Sequence, residues 1–247
     1  MFPVEPMYAA SLLIAVKHQC TSEVISIISL LSSSVPLFPD TASERDPASE
    51  ARAKFRHPSG DHWTMLTVFR AYDEICVSEG KTGCKDWCKR NFVSQRALRE
   101  ASDIRKQLRN LCGRVNIDCS LTCGNDETPV LRSLLKGLLQ QVAFLQPDGS
   151  YKQMMGPSVC LLKSPSCVVL KSFQQQLIKI HPSSFLVDKR SPAIIYTDLV
   201  GYCFALGGEY QTELGQVYTT NIYARGVSAI YKSFIAEYPK LGGMRVP

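Results

Sequence analysis

One segment of this sequence concentrates positive charge of the kind that binds phosphate groups. Residues 85–114 contain nine Lys or Arg residues against three acidic residues, and this excess equals the formal net charge of +6 of the whole chain of 247 residues. A localised positive field attracts the phosphate backbone of nucleic acids. The alternative is an ordinary solvated helix face, where Lys and Arg are also common. The segment makes a nucleic acid a candidate ligand and leaves the simpler alternative open.

A second pattern resembles part of a nucleotide-binding loop. Gly80-Lys81-Thr82 has the residue types that end a phosphate-binding loop, but the glycine that the pattern needs five residues before Gly80 is replaced by Ile75. No strand is predicted before this segment either. We therefore predict no nucleotide site and no resident cofactor in this chain.

Metal-binding and catalytic patterns are also weak. Cys84/Cys88 and Cys119/Cys123 form two C-x3-C pairs, a spacing that zinc sites tolerate. Structural thiols are the favoured interpretation, because Cys84 and Cys88 flank Trp87 near the start of a predicted buried helix. The four histidines show no spacing typical of a metal site, and spacing alone supports no Ser/His/Asp constellation. The sequence therefore predicts no metal and no catalytic residue.

The composition is that of a folded protein outside the membrane. Hydrophobic residues make up 45% of the chain and charged residues 20%. No apolar run reaches the roughly 18 residues that a membrane-spanning helix needs. Residues 1–5 lack the basic region of a secretory signal. Without an export signal, we expect the ten cysteines to be reduced thiols in the cytosol or nucleus.

Helical periodicity dominates the first part of the chain. Apolar residues recur at helical spacing in five ranges, which are 6–16, 21–31, 61–76, 97–108 and 130–144. Thr21 is a predicted N-cap, and Asp46-Pro47 predicts the start of a further helix. Ser26 and Ser29 are predicted to face solvent. Residues 76–83 and 119–128 are predicted loops.

The pattern changes to short strands after residue 144. Residues 146–150 read Gln-Pro-Asp-Gly-Ser, a turn in which proline presets φ and glycine accepts positive φ. Runs of β-branched and aromatic residues predict strands at 167–170, 177–180, 193–199 and 217–223. Residues 227–235 are predicted to form a closing amphipathic helix.

These elements predict an α+β protein with two domains. We expect a helical bundle at residues 1–143, a small β-barrel-like domain with a C-terminal helix at 144–236, and a tail at 237–247. Small five-stranded barrels often bind single-stranded nucleic acids through a positive groove and stacking aromatic residues. Phe185 and Tyr196 are the candidate stacking residues, with a core position as the alternative for each.

Six short motifs resemble the C-terminal part of the DEAH-box RNA helicases. In chain order they are Phe2-Pro3-Val4-Glu5-Pro6, Gly60-Asp61-His62, Trp87-Cys88-Lys89-Arg90-Asn91-Phe92, Asp103-Ile104-Arg105-Lys106-Gln107-Leu108, His181-Pro182-Ser183-Ser184 and Tyr196-Thr197-Asp198-Leu199. The resemblance covers most of residues 1–236. It implies that the helical bundle is a ratchet-like domain and that the barrel is an oligonucleotide/oligosaccharide-binding (OB) fold.

The resemblance also implies where RNA is held, because in this family the two domains border the RNA channel. By motif, the expected RNA-binding residues are two on the basic helix and three in a barrel loop: Arg96, Arg105, His181, Ser183 and Ser184. Their contacts would be charge-assisted and hydroxyl hydrogen bonds to phosphates, which position a strand without reading its sequence. As alternatives, Arg105 could pair with Asp103 or with another helix, and His181-Pro182 could only shape a turn.

The sequence departs from the family pattern in several ways. Its residues include no complete phosphate-binding loop and no Asp-Glu-Ala-His sequence, and we expect neither a motor domain nor the winged-helix segment that normally precedes the ratchet. We therefore expect a helicase fragment that neither hydrolyses ATP nor unwinds RNA by itself. ATP and Mg²⁺ would belong to the parent helicase. Residues 154–173 and 201–218 exceed the family pattern and are interpreted as unspliced introns read in frame or as lineage-specific loops.

The resemblance implies several partners and a cellular location. The expected partners are single-stranded RNA, helicase motor domains supplied in cis or missing, and an activator protein on the OB fold, with no membrane. The expected location is the nucleus or nucleolus, with the cytoplasm as the alternative. A second function class is a protein-interaction scaffold, in which the OB fold docks an activator and RNA contact is incidental.

Overall fold

The computed structural model describes residues 4–39, 45–154, 158–163, 168–173, 177–203 and 219–237. The chain divides into two compact units, Met1–Gly137 and Leu138–Pro247, whereas the sequence prediction placed the boundary after residue 143. Helices come first and strands follow, so the predicted α+β class is confirmed. No helix in the described part is both long and apolar enough to cross a membrane.

Seven helices make up most of the described first unit. Their bounds are α1 Pro6–Lys17, α2 Thr21–Leu31, α3 Arg45–Ala53, α4 Asp61–Ser78, α5 Gly80–Arg90, α6 Gln95–Arg114 and α7 Thr128–Gly137. Helix α1 begins with a proline, whose missing N–H costs nothing in the first turn. Helix α6 begins after Ser94, whose hydroxyl accepts a hydrogen bond from the Ala97 N–H at 3.2 Å.

Helix α2 is the most buried helix of this unit and packs against α1, α4, α6 and α7. The prediction that its serines face solvent is wrong, because Ser26 is 5% exposed and Ser29 is fully buried. Their hydroxyls donate to the carbonyls of Ser22 and Ile25, at 2.9 and 2.7 Å. This bond to the preceding turn satisfies a buried hydroxyl, so serine does not mark a solvent face here.

Two predicted boundaries in this unit are wrong. Residues 76–83 are not a loop, because α4 continues to Ser78 and α5 begins at Gly80. The polar residues at the end of α4 and the start of α5 are exposed to solvent, and an α-helix can carry polar residues on an exposed side. The predicted helix at 130–144 ends at Gly137, and its last apolar residues form a strand instead. Short apolar runs fit a helix or a buried strand equally well, so periodicity could not separate them.

Residues 115–127, which we call the cysteine loop, are fixed to α2 and α4 by a buried carboxylate. Glu23 is 2% exposed and accepts hydrogen bonds from Arg70 Nη2 at 2.7 Å and Thr122 Oγ1 at 2.6 Å. Thr21 is not the N-cap of α2 as predicted, since it lies inside the helix. Its hydroxyl donates instead to the Asp118 carbonyl in this loop, at 2.6 Å.

The described second unit is built on one mixed sheet. Its elements are β1 Val142–Leu145, β2 Tyr151–Gln153, β3 Ser158–Lys163, β4 Val168–Phe173, β5 Leu177–Ile180, β6 Ala193–Ile195, β7 Asp198–Cys203, β8 Thr219–Arg225, β9 Ser228–Ala229, and a short helix, α8 Lys232–Ala236. The strand order is β4-β3-β7-β8-β5-β2-β1-β6-β9. Pairs β3/β7 and β5/β8 are parallel, and the other pairs are antiparallel. In the described pairings the sheet ends at β4 and β9 and does not close into a barrel.

Local signals in this unit have mixed outcomes. The turn at 146–150 is confirmed: Gly149 has φ +84°, and its N–H donates to the Gln146 carbonyl at 3.0 Å. The predicted closing helix is shorter than expected, because Ser228–Ala229 is a strand and α8 begins at Lys232. Of the two predicted insertions, 154–173 contains the β3–β4 hairpin at the sheet edge, and residues 204–218 of the second lie outside the described part.

Candidate nucleic-acid interface

The concentrated positive charge lies on the exposed sides of α5 and α6. We define the basic surface as the exposed Lys and Arg residues that these helices contribute within residues 85–114: Lys85, Lys89, Arg90, Arg96, Arg99, Lys106, Arg109 and Arg114. The opposite side of α6 is apolar and buried through Ala97, Leu98, Ala101, Leu108 and Cys112, while the predicted Ile104 is half-buried. Burial of that side fixes the orientation of the helix, so these cations face solvent.

Arg96 is the expected RNA-binding residue that is most open to a ligand. It lies exposed in the first turn of α6, and within the described residues no carboxylate is within ion-pairing distance of it. The acid one turn later, Glu100, is held by the Ser34 N–H at 3.0 Å and by the Ser34 hydroxyl at 2.9 Å. These hydrogen bonds lower the pKa of Glu100, with a smaller contribution from Arg96. The Glu100 carboxylate is therefore bound to the neighbouring loop.

Arg105 has a different environment from Arg96. Its Nη1 and Nη2 donate to the two carboxylate oxygens of Asp73 on α4, at 2.6 and 2.8 Å. Its guanidinium lies 4.1 Å from the ring centroid of Phe69. The structure thus shows the alternative considered for Arg105, pairing with another helix. Asp103 instead lies near Lys106, at 3.8 Å.

The three expected residues of the second unit, His181, Ser183 and Ser184, form a tight turn. His181 Nδ1 lies 2.7 Å from the Ser183 hydroxyl and accepts the Ser183 N–H at 3.1 Å. The Ser184 N–H donates to the His181 carbonyl at 2.9 Å, and Ser184 Oγ accepts the Leu186 N–H at 3.2 Å. His181 and Ser184 are each 6% exposed, whereas Ser183 is exposed. Of the three side chains, Ser183 is the one that a ligand can reach directly.

The same turn occurs in the first unit, where sequence reasoning missed it. His57 Nδ1 lies 2.7 Å from the Ser59 hydroxyl, and the Gly60 N–H donates to the His57 carbonyl at 3.1 Å. The signal was present, because His-Pro-Ser occurs at 57–59 and again at 181–183. Because the same hydrogen bonds form in two different units, the local His-Pro-Ser sequence is sufficient to produce this turn. The His-Pro-Ser turn therefore does not by itself identify a ligand site.

The two candidate stacking residues differ. Tyr196 is 1% exposed, and its hydroxyl accepts a hydrogen bond from Gln153 Nε2 at 2.7 Å, so Tyr196 takes the core position considered as the alternative to stacking. Phe185 is half-buried. Sequence reasoning missed Lys179, which is exposed and opposite Tyr223 in the β5/β8 register. The alternation of exposed and buried residues along β5 could have indicated it.

The cysteines show no metal site in the part of the chain that is described. Cys76 and Cys84 form a disulfide, with their Cα atoms 5.5 Å apart, so the prediction of reduced thiols is wrong for this pair. Only Glu79 separates α4 from α5, and this short connection brings the two cysteines together. The Cys84/Cys88 pair cannot offer two thiolates to zinc while Cys84 is oxidised.

Comparison with known proteins finds a family match in the first part of the helical unit. Residues 5–65 match the model of a family described as helicase associated domain (HA2), ratchet-like. This match and the relatives below show that the chain corresponds to the C-terminal region of DEAH-box RNA helicases.

The relatives carry the names of ATP-dependent RNA helicases. ATP-dependent RNA helicase DHX33 of Homo sapiens is 32% identical over 199 residues, which cover 81% of this chain and 24% of that protein. The Drosophila melanogaster DHX33 is 31% identical over 200 residues, covering 81% and 25%. Pre-mRNA-splicing factor ATP-dependent RNA helicase DEAH10 of Arabidopsis thaliana is 28% identical over 206 residues, covering 80% and 26%. The chain thus spans about a quarter of the length of these relatives.

Proposed function

We propose that this chain is the auxiliary RNA-binding part of a DEAH-box ATP-dependent RNA helicase and holds single-stranded RNA by its phosphates. The observation that carries the proposal is the basic surface, whose cations face solvent on a helix that is fixed by its buried apolar side. The names of the relatives as RNA helicases support RNA as the ligand. In this proposal the motor domains bind ATP and Mg²⁺, and the nucleus or nucleolus is the expected location.

The geometry favours contact with the backbone over reading of bases. Arg96 and Arg109 are separated by 13 residues of one helix, or about 20 Å at the rise of an α-helix. Exposed, flexible cations spread over this length suit several phosphates, because each makes a charge-assisted contact that does not depend on sequence. Arg105 lies between them, but both its terminal nitrogens bind Asp73. We propose that Arg105 positions the helix and that Arg96 and Arg109 contact the strand.

The second unit offers fewer candidates for contact with RNA. Its exposed candidates are Ser183 in the His-Pro-Ser turn and Lys179 on β5. We propose that the Ser183 hydroxyl contacts RNA, whereas buried His181 and Ser184 shape the turn. An activator protein bound to this unit remains a prediction from the family resemblance.

The salt dependence of RNA binding tests the proposal. Affinity for a single-stranded RNA should fall steeply with salt, with a slope of log K against log salt of about −0.7 per phosphate contact. The double variant Arg96→Gln/Arg109→Gln should make this slope shallower by about 1.4 and weaken binding. Fluorescence anisotropy over a salt series measures both quantities.

A matched control removes the same charge elsewhere. Lys17 on α1 and Lys54 are exposed and lie outside the basic surface, so Lys17→Gln/Lys54→Gln should leave the slope unchanged. Equal losses in the two double variants would show that only net charge matters and would contradict the proposed interface. Absence of RNA binding by the unaltered chain would favour the scaffold alternative.

A further inference from the structure

We propose that a groove at the α5–α6 turn takes one nucleobase of the bound strand against Phe92, while Lys85 and Lys89 contact the adjoining phosphates. This inference rests on the proposed RNA-binding function and assigns a subsite to it. The groove has a volume of about 390 Å³, an apolar floor and a cationic rim. The floor is formed by Pro39, Cys88, Phe92 and Val93.

The rim supplies charge complementary to phosphate. Lys85 and Lys89 are four residues apart on α5, so their side chains project from the same face. Both are exposed, and among the described residues neither has a carboxylate within ion-pairing distance. Asp86, which is exposed three residues before Lys89, makes no such pair either. Two exposed ammonium groups beside an apolar floor fit a ligand with an anionic backbone and a flat apolar part.

The floor is held in an unusual backbone conformation. Phe92 has φ +52°, in the left-handed region that residues other than glycine rarely adopt. Helices commonly end on glycine at this position, where a side chain is not needed. Backbone strain of this kind persists where the surroundings enforce it, and it is frequent at ligand sites. Glycine would be less strained at this position. Stacking of the Phe92 ring on a base would explain why a phenylalanine is found here instead.

Neighbouring segments hold the walls of the groove in place. Arg52 Nη2 on α3 donates to the carbonyls of both Phe92 and Pro39, the latter at 3.3 Å. The Val93 N–H donates to the Cys88 carbonyl at 3.0 Å, and the Ser94 N–H donates to the Leu37 carbonyl at 2.9 Å. The groove is therefore preformed, which lowers the entropic cost of seating a base.

The position of the groove favours RNA over an acidic peptide. Gln95 lines the groove, and the next residue, Arg96, is one of the cations proposed to hold phosphates. A strand bound at Arg96 is therefore close in the chain to the groove, whose rim carries the further cations Lys85 and Lys89. Stacking on an aromatic ring is tolerant of sequence, as expected for a protein that grips the backbone.

Photocrosslinking on the full chain tests the subsite directly. A single-stranded RNA carrying 5-iodouridine should crosslink to Phe92, and mass spectrometry of the crosslinked peptide identifies the residue. Phe92→Leu should weaken RNA binding by about fivefold or more, because it keeps apolar bulk but removes the ring. It should leave the salt slope unchanged, since no charge is lost. Phe92→Tyr keeps the ring and should bind like the unaltered chain.

Two further variants make the outcome decisive. Lys85→Gln/Lys89→Gln leaves the apolar floor intact and should make the salt slope shallower by about 1.4. Tyr231→Leu, which replaces an exposed aromatic residue in the second unit, should not change the Phe92 crosslink.

If the unaltered chain binds RNA but Phe92→Leu and Lys85→Gln/Lys89→Gln bind equally well, the subsite is overturned and the proposed function survives. If those variants lose only the binding of an acidic, leucine-containing peptide, the groove is a peptide site. Absence of any RNA binding by the unaltered chain overturns the proposed function and the subsite with it.

Discussion

Two arginines of α6 show how residue environment decides a role. Arg96 and Arg105 have the same chemistry and lie on the same helix, but Arg105 makes a bidentate pair with Asp73 and packs over Phe69. A bidentate guanidinium–carboxylate pair is geometrically specific, so Arg105 could donate to a phosphate only by breaking its hydrogen bonds to Asp73. Arg96 meets no such partner in the described residues. The proposed interface therefore relies on Arg96.

The buried His62 should make the stability of the protein fall in acid. His62 is fully buried at the start of α4, and burial lowers its pKa from 6.5 to about 4. Between these values the unfolded chain binds a proton that the folded chain excludes, so the contribution of His62 is complete above about pH 6.5 and declines toward pH 4. The expected loss is about 3 kcal/mol over that range.

Urea unfolding at pH 7 and pH 4.5 measures this effect. His62→Gln cannot be protonated and should lose less stability between the two pH values than the unaltered chain, by about 2 kcal/mol. Ser78→Ala, which removes no titrating group from the same helix, is the control and should keep the pH dependence of the unaltered chain. An identical pH dependence in His62→Gln and the unaltered chain would refute the assignment to His62.

The close contact of α1 and α7 depends on a glycine at the end of α7. A Cβ atom at Gly137 would lie 2.0 Å from the Met7 carbonyl oxygen and 2.2 Å from Ser11 Oγ. The two helices would have to separate to admit a methyl group. Small residues are therefore required at this crossing for a packing reason, whatever their helix propensity.

We expect Gly137→Ala to destabilise the helical unit. Overpacking at such a contact costs about 1 to 3 kcal/mol, which outweighs the gain in helix propensity from alanine. Gly113 is the matched control, because it also lies in a helix and nothing is within 4 Å of an added Cβ. Gly113→Ala should be neutral or stabilising. Thermal and urea unfolding measure the stability of both variants. Equal changes in stability would show that the close α1–α7 contact does not require glycine at residue 137.

At the scale of the whole molecule, the chain is two compact units with different architectures. The first carries the basic surface and the groove, and the second carries the mixed sheet with the exposed Ser183. The buried core of the first unit includes Phe69, Trp87 and Leu98, which come from three of its own helices. Each unit thus has its own hydrophobic core, which is the physical condition for independent folding.

We expect a fragment of residues 1–137 to fold and to retain most of the salt-dependent RNA binding. It contains α1 to α7 and the basic surface. Circular dichroism should show a cooperative loss of helix on heating, and anisotropy should give a salt slope close to that of the full chain. A fragment that lacks a cooperative transition would contradict independent folding. If the fragment folds but its salt slope is much shallower than that of the full chain, most phosphate contacts belong to the second unit.

The features that the sequence predicted correctly are local or compositional. The α+β order, most helices and strands, the turn at 146–150 and the concentration of charge in 85–114 follow from spacing and turn chemistry within a few residues. Errors occurred at helix ends and in short apolar runs, such as 130–144, where helix and strand fit equally well. The resemblance to DEAH-box helicases also came from short motifs, and the comparisons support it.

The sequence by itself determined the types and order of the elements, because propensity, periodicity and turn chemistry act over a few neighbouring residues. Only the tertiary structure decided which side chains meet. Arg105 and Asp73 are 32 residues apart, Tyr196 is buried by strands from distant segments, and the groove needs Pro39 beside Phe92. These contacts depend on how elements pack, and a residue's availability to a ligand depends on the same packing.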